Sequence, residues 1–206
     1  MKIDHLFSPS LQLETERVVL RPVRQDDYEA FKSIIFEPDI WPFYTIKYET
    51  NEDLDGFFVR AMNDYASSVR CAFAIIDKST NTILGSTSFG NISSRDARLE
   101  IGWSWLCEAA RGKGINTHTK FLLLEYAFEV LKAVRVEFKT DVKNSGARKA
   151  LVKCGATEEG VLRSHTQMHS DRRRDTIFYS VLTNEWPDVK QEIYGQIKSL
   201  NNTSYE

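Results

Sequence analysis

The chain of 206 residues carries 27 Lys and Arg against 29 Asp and Glu, for a net charge of −2 at pH 7. Hydrophobic residues make up 42% and aromatic ones 12%, with 10 Gly and 5 Pro. These proportions exclude a disordered, collagenous or low-complexity chain, and the charge balance argues against a protein that wraps nucleic-acid phosphates. The length suits one domain over residues 1–206, with its core at 12–187 and a C-terminal helix and tail at 188–206. Three cysteines (Cys71, Cys107, Cys154) form no C-x-x-C pair, which suits a reducing compartment. No apolar leader follows Met1, and the apolar run at 71–76 is far too short to span a bilayer. A cytoplasmic protein with neither membrane nor nucleic-acid partner is expected.

Residues 15–22 read as a short strand ended by Pro22, and Asp26 and Asp27 open a helical stretch through Ile35, short of Pro38. Trp41, Phe43, Tyr44 and Tyr48 then lie in an irregular aromatic stretch, either core beneath a loop or the wall of an acceptor pocket. Thr50 or Asn51 caps a second helix over 52–66, with Leu54, Phe57, Phe58 and Met62 on one face. Strands follow at 71–76, 83–89 and 98–106, with turns at 77–82 and 91–96. In the third strand Leu99, Ile101, Trp103 and Trp105 share one face, while Glu100, Gly102 and Ser104 share the other.

A helix over 114–131 is apolar around most of its circumference and so is buried on a sheet. Residues 134–140 alternate Val134, Val136 and Phe138 against Arg135, Glu137 and Lys139, the pattern of a strand. Asn144 caps a short helix ending at Cys154, with Gly155 at the C′ position. Strands at 161–168 and 176–182 and a helix at 187–200 precede a polar tail at 201–206. The strand at 98–106, the buried helix and the strand at 134–140 form a β-α-β unit with parallel strands.

Chemistry concentrates at the turn into the buried helix, Glu108-Ala109-Ala110-Arg111-Gly112-Lys113-Gly114-Ile115-Asn116-Thr117. The first amides of that helix have no intrahelical partners, and its dipole is positive there. Gly112 and Gly114 allow a tight turn and close approach, and Arg111 and Lys113 add positive charge. The segment suits a phosphate or pyrophosphate; a solvated turn is the plainer alternative. A Walker loop occurs nowhere in the chain, and Thr117 stands where a dinucleotide fingerprint needs its third Gly.

Arg111-Gly112-Lys113-Gly114-Ile115-Asn116 resembles the [QR]-x-x-G-x-[GA] acetyl-CoA loop of GCN5-related N-acetyltransferases (GNAT). Four further segments resemble the RimJ/RimL-like ribosomal-protein-alanine acetyltransferase branch of that superfamily. They are Thr15-Glu16-Arg17 through Leu20-Arg21-Pro22, Glu100-Ile101-Gly102-Trp103, Asn144 through Leu151-Val152-Lys153-Cys154-Gly155-Ala156, and Gly160-Val161-Leu162-Arg163 with Arg174-Asp175 and Tyr179. The resemblance covers residues 12–187 in the family's order. It implies an α/β fold with a mixed, largely antiparallel sheet, a splayed parallel pair and flanking helices. It further implies direct acetyl transfer from acetyl-CoA to an amine, with no metal and no covalent enzyme intermediate. Pantetheine would pair with the backbone near Ser104, Trp105 and Leu106, and the pyrophosphate would sit on Arg111, Gly112, Lys113, Gly114, Ile115 and Asn116, with Thr117 just beyond. Asn144 matches a family Asn that contacts pantetheine, and the same residue reads as a helix cap.

Two positions depart from the family pattern: Asn116 replaces Gly or Ala, and Ala147 stands where relatives often carry a Ser near the thioester sulfur. Glu100 is the candidate general base, with a solvated or ion-paired strand residue as the alternative. His165 and His169 lack a third ligand at metal spacing, His118 reads as a helix-surface residue, and Arg172, Arg173 and Arg174 read as a solvated turn. The acceptor is a protein N-terminal amine or a small amine such as a polyamine or antibiotic. A non-catalytic acyl-CoA-binding regulator is the reading from another class, and a homodimer is left open.

Overall fold

Apolar alternation in the strands builds one sheet with a separate apolar core on each face. The computed structural model describes residues 1–3 and 5–202. In chain order the elements are β1 (Leu13–Glu14), β2 (Val18–Pro22), α1 (Tyr28–Lys32), α2 (Asn51–Ala66), β3 (Cys71–Asp77), β4 (Thr82–Ser93) and β5 (Arg98–Leu106). They continue with α3 (Ile115–Glu125), β6 (Arg135–Asp141), α4 (Ser145–Lys153), β7 (Thr157–Gln167), β8 (Arg173–Leu182) and α5 (Trp186–Asn202). The 8-stranded sheet has the order β1-β2-β3-β4-β5-β6-β8-β7. Every neighbouring pair is antiparallel except β5 and β6, the parallel pair that the β-α-β unit required.

On one face Leu99, Ile101, Val136, Phe138, Ile177 and Tyr179 pack against apolar side chains of α3, α4 and α5. On the other, Ala72, Ala74, Ile76 and Trp105 pack against Phe31 of α1 and Leu54, Phe57 and Phe58 of α2. Thr50 caps α2: its hydroxyl accepts from the Asp53 amide at 3.2 Å, and the Asp53 carboxylate accepts from the Thr50 amide at 2.9 Å. The irregular aromatic stretch before α2 is core, since Trp41 is 2% exposed and its indole N–H donates to the Ile35 carbonyl at 2.9 Å.

Several boundaries differ from expectation. The strand expected over 15–22 is shortened to β2, with the two-residue β1 lying before it, and the stretch from Asp26 begins as a 3₁₀ turn (Gln25–Asp27) before α1. There Asp27 binds the Arg21 guanidinium through both oxygens, at 2.6 and 2.8 Å. The helix expected over 114–131 is α-helical only to Glu125, and Tyr126–Val130 widens into a π turn. That wide turn keeps Leu131 and Ala133 in the core. β4 runs on into the turn expected at 91–96, as far as Ser93, and both β7 and β8 start earlier than their apolar runs. Of the polar tail expected at 201–206, residues 203–206 lie outside the described residues.

Gly155 follows α4 at φ +79°, and a Cβ there would stand 2.7 Å from a Val189 methyl of α5. Both the left-handed backbone and the close helix demand glycine. Gly155→Ala should therefore lower unfolding stability by about 1–3 kcal/mol in urea denaturation. A paired Val189→Ala should recover part of that loss by opening space, leaving only the backbone strain.

Candidate active site

The site is set by the place where β5 and β6 part. Their parallel pairing is limited to Arg98↔Arg135, Leu99↔Val136 and Glu100↔Glu137. Beyond Glu100, β5 stays with β4 but shifts register, pairing Gly102 with Ser88 and Trp105 with Ser86. Trp103 and Ser104 thus oppose Thr87 alone, a β-bulge in which Trp103 adopts φ +52°. The bulge bends β5 away and opens a fork between the two strands.

The bulge also overturns the simple alternation expected for this strand. Leu99 and Ile101 lie on the α3 face, Trp105 lies on the α2 face, and Trp103 is 44% exposed. Trp103 instead covers Gly90, where a Cβ would meet its ring at 2.6 Å, and Arg70 stacks on that ring at 5.3 Å. Ser104 likewise leaves the face of Glu100 and Gly102 and turns its hydroxyl to Lys120 of α3. One extra residue in the strand reverses every later side chain.

Glu100 sits at the base of the fork and is buried. Its carboxylate accepts from Asn91 Nδ2 at 2.6 Å and pairs with Lys139 Nζ at 2.7 Å. It folds over Gly102, where a Cβ would come within 2.9 Å of Oε1. The ion-paired alternative is thus realised, which does not remove the carboxylate from the fork. A cavity of about 540 Å³ borders both of its partners, Asn91 and Lys139, and is also lined by Ser68, Arg98 and Glu137. It opens on the face opposite α3.

At the mouth of the fork stands the glycine turn. Gly112 and Gly114 adopt φ +74° and +83°, which frees the turn for a backbone path closed to most side chains. A Cβ on Gly112 would meet nothing within 4 Å, whereas one on Gly114 would strike Leu200 at 2.7 Å. Gly114 caps α3 with no side chain, so the amides that open the helix are left for an outside partner. Asn116 lies in the first helical turn without positive φ, so its side chain strains nothing. Arg111, Gly112 and Lys113 are exposed, Ile115 is buried, and the Thr117 amide donates to the Gly114 carbonyl at 2.9 Å. These open amides and left-handed glycines fit an anionic phosphate group.

The backbone expected to receive pantetheine carries internal partners. Tyr44 donates its hydroxyl to the Ser104 carbonyl, and Arg111 Nε donates to the Leu106 carbonyl at 2.9 Å. Burial raises the Tyr44 phenol well above its ordinary range, so it stays a donor. Asn144 is half-buried and caps α4, its side-chain oxygen accepting from the Ala147 amide at 3.0 Å. The cap uses only that oxygen, so capping is compatible with a ligand contact through the side-chain nitrogen.

Two other expectations change. His118 is fully buried rather than on the surface; it bonds the Thr15 hydroxyl at 3.0 Å, and burial lowers its pKa. Arg172 pairs with the buried Asp141, and Arg174 is half-buried with Nε donating to Thr176, so only part of the arginine run is solvated. His165 and His169 engage Thr176 and the Trp41 carbonyl respectively. Among the described residues no group of three or more His, Cys, Asp or Glu could hold a metal ion. No described helix is long and apolar enough to cross a membrane. Sequence reasoning misses Lys120, whose polar head among apolar helix positions is the only signal.

Residues 17–157 match the family model described as "Acetyltransferase (GNAT) domain". The "Uncharacterized N-acetyltransferase p20" of Bacillus licheniformis is 27% identical over 175 residues, covering 84% of this chain and 97% of its own. The "Putative ribosomal N-acetyltransferase YdaF" of Bacillus subtilis (strain 168) is 32% identical over 109 residues, covering 53% of this chain and 58% of its own. A crystal structure described as a "putative acetyltransferase" from T. thermophilus superposes with a TM-score of 0.81 at 32% identity, covering 90% of this chain and 96% of that one. The matched residues include both strands of the fork, the glycine turn, α3 and α4: the chain belongs to the GNAT family and is an acetyltransferase.

Proposed function

We propose that this N-acetyltransferase moves the acetyl group of acetyl-CoA directly to a protein N-terminal amine. The observation that carries the proposal is the fork itself, with an anion-seeking helix start at its mouth and a buried carboxylate at its base. Phosphates on the amides of residues 112–116 would direct the pantetheine arm between β5 and β6. Ser104, Trp105 and Leu106 would supply the backbone beside it, with Tyr44 and Arg111 yielding their carbonyls to it.

The acceptor would enter from the opposite face, beside Glu100. The Glu100 carboxylate, held in place by Lys139 and Asn91, would face the incoming amine. An α-amine titrates at about 7.7–8.0 and a lysine amine at about 10.4, so the α-amine gives up its proton for about 3 kcal/mol less. That lower cost of deprotonation favours N-terminal amines. The name of YdaF, a putative ribosomal N-acetyltransferase, supports a protein acceptor.

Three measurements test this reading. Gly112→Asp should weaken CoA binding about tenfold or more by setting a carboxylate against phosphate; the added Cβ meets no neighbour, and the left-handed backbone, which Asp tolerates better than most residues, costs about 1 kcal/mol of stability. Wild-type affinity in the folded variant would remove the loop from the site. Glu100→Gln should lower kcat by about 10²–10⁴-fold with CoA affinity nearly intact. Turnover within about threefold of wild type would assign the proton to solvent instead. Finally, peptides with a free N-terminus should be acetylated at least about tenfold faster than N-blocked peptides bearing lysine; the reverse order would exclude the N-terminal acceptor.

A further inference from the structure

Lys120 is a buried cation with no part in the roles given to Glu100 and the glycine turn. It lies in the second turn of α3, about 7–8 Å along the axis from Ile115. Its residue is 5% exposed, and its ammonium bridges the two arms of the fork. On the β5 side Nζ donates to Ser104 Oγ at 3.0 Å, and on the β6 side it lies 5.6 Å from the centre of the Phe138 ring. Ser104 Oγ is itself 2.7 Å from Thr87 Oγ1 of β4. The buried Cys154 thiol just past α4, whose pKa burial raises, is its electrostatic neighbour and donates to the Leu151 carbonyl. The groups shown at this ammonium are a hydroxyl and a ring, with no carboxylate ion-paired to it among the described residues.

A buried ammonium without a counter-ion is costly, and a lysine that served packing alone would be better replaced by an apolar side chain. The arrangement makes sense if an anion arises there. In the transferase reading, on which this inference rests, one does: the thiolate released when the thioester breaks. Ala147, a methyl, offers that sulfur no proton.

We propose that Lys120 receives the leaving sulfur of acetyl-CoA, stabilising the thiolate and giving it a proton. The acceptor nitrogen forms the C–N bond with its lone pair, and the C–S bond breaks with its electrons on sulfur. A proton passes from Lys120 Nζ to sulfur, producing the free CoA thiol and a neutral lysine. The acceptor ammonium sheds one proton before attack and a second once the C–N bond has formed, both to solvent; Lys120 regains one proton from solvent, so the net release is a single proton. Burial brings the lysine pKa down to about 8, close to the about 8.5 of a free thiol, which matches donor to acceptor.

The decisive experiment titrates the thiol of bound CoA through the ultraviolet absorbance of its thiolate, without any acceptor. In the wild type this thiol should titrate about 1–3 pH units lower than in Lys120→Met, whose side chain keeps length and apolar packing. Lys120→Arg keeps a charge that does not titrate. It should hold the thiol low but abolish the alkaline fall of kcat that deprotonation of Lys120 gives. In Lys120→Met, kcat should fall about 10²–10⁴-fold while the Kd for CoA changes little. Equal thiol titration in wild type and Lys120→Met overturns the proposal even if kcat falls, since a packing role alone would then account for the loss. Failure of the wild type to bind CoA at all would overturn the transferase reading instead.

Discussion

Parallel pairing that stops after Glu100 is the constraint on which the rest of this molecule depends. A parallel strand pair is ordinarily buried and continuous, and its interruption exposes backbone that needs a partner. Here the bulge at Trp103 and Ser104 forces the separation, and the protein secures it from several sides. Tyr44 holds the Ser104 carbonyl, Arg70 and Gly90 sandwich the Trp103 ring, and Lys120 spans the opening. A strand edge left open inside a fold is thereby kept from closing on itself.

The fork divides the chemistry between the two faces of the sheet. On the α3 face lie the helix start, the glycine turn and a buried ammonium, all suited to negative charge. On the α2 face lies Glu100, a carboxylate suited to an amine. The two buried charges are treated differently. Glu100 has Lys139 and Asn91 as fixed partners, which offset its desolvation. Among the described residues Lys120 has no ion-pair partner, and its ammonium meets the Ser104 hydroxyl and the Phe138 ring.

Much of this was legible in the chain. The β-α-β unit, the caps at Thr50 and Asn144 and the glycine at position 155 follow from local rules of periodicity and capping. The turn at Arg111 to Gly114 announced itself because glycine and positive charge before an apolar helix are a local signal. The error at the site fell where a single residue changes the phase of a strand. The alternation from Leu99 to Trp105 looked unbroken because the bulge uses ordinary side chains, and its left-handed residue is a tryptophan rather than a glycine.

The sequence by itself determined the order of elements, the parallel crossover and the location of the glycine turn, since each depends on neighbours along the chain. Tertiary structure alone decided which face Ser104 takes, what holds Glu100, and that His118 and Lys120 are buried. The partners responsible are distant in sequence: Ser104 meets Thr87 and Lys120, Glu100 meets Lys139, and His118 meets Thr15. Desolvation and pairing depend on what the fold brings into contact, and no periodicity along the chain encodes those meetings.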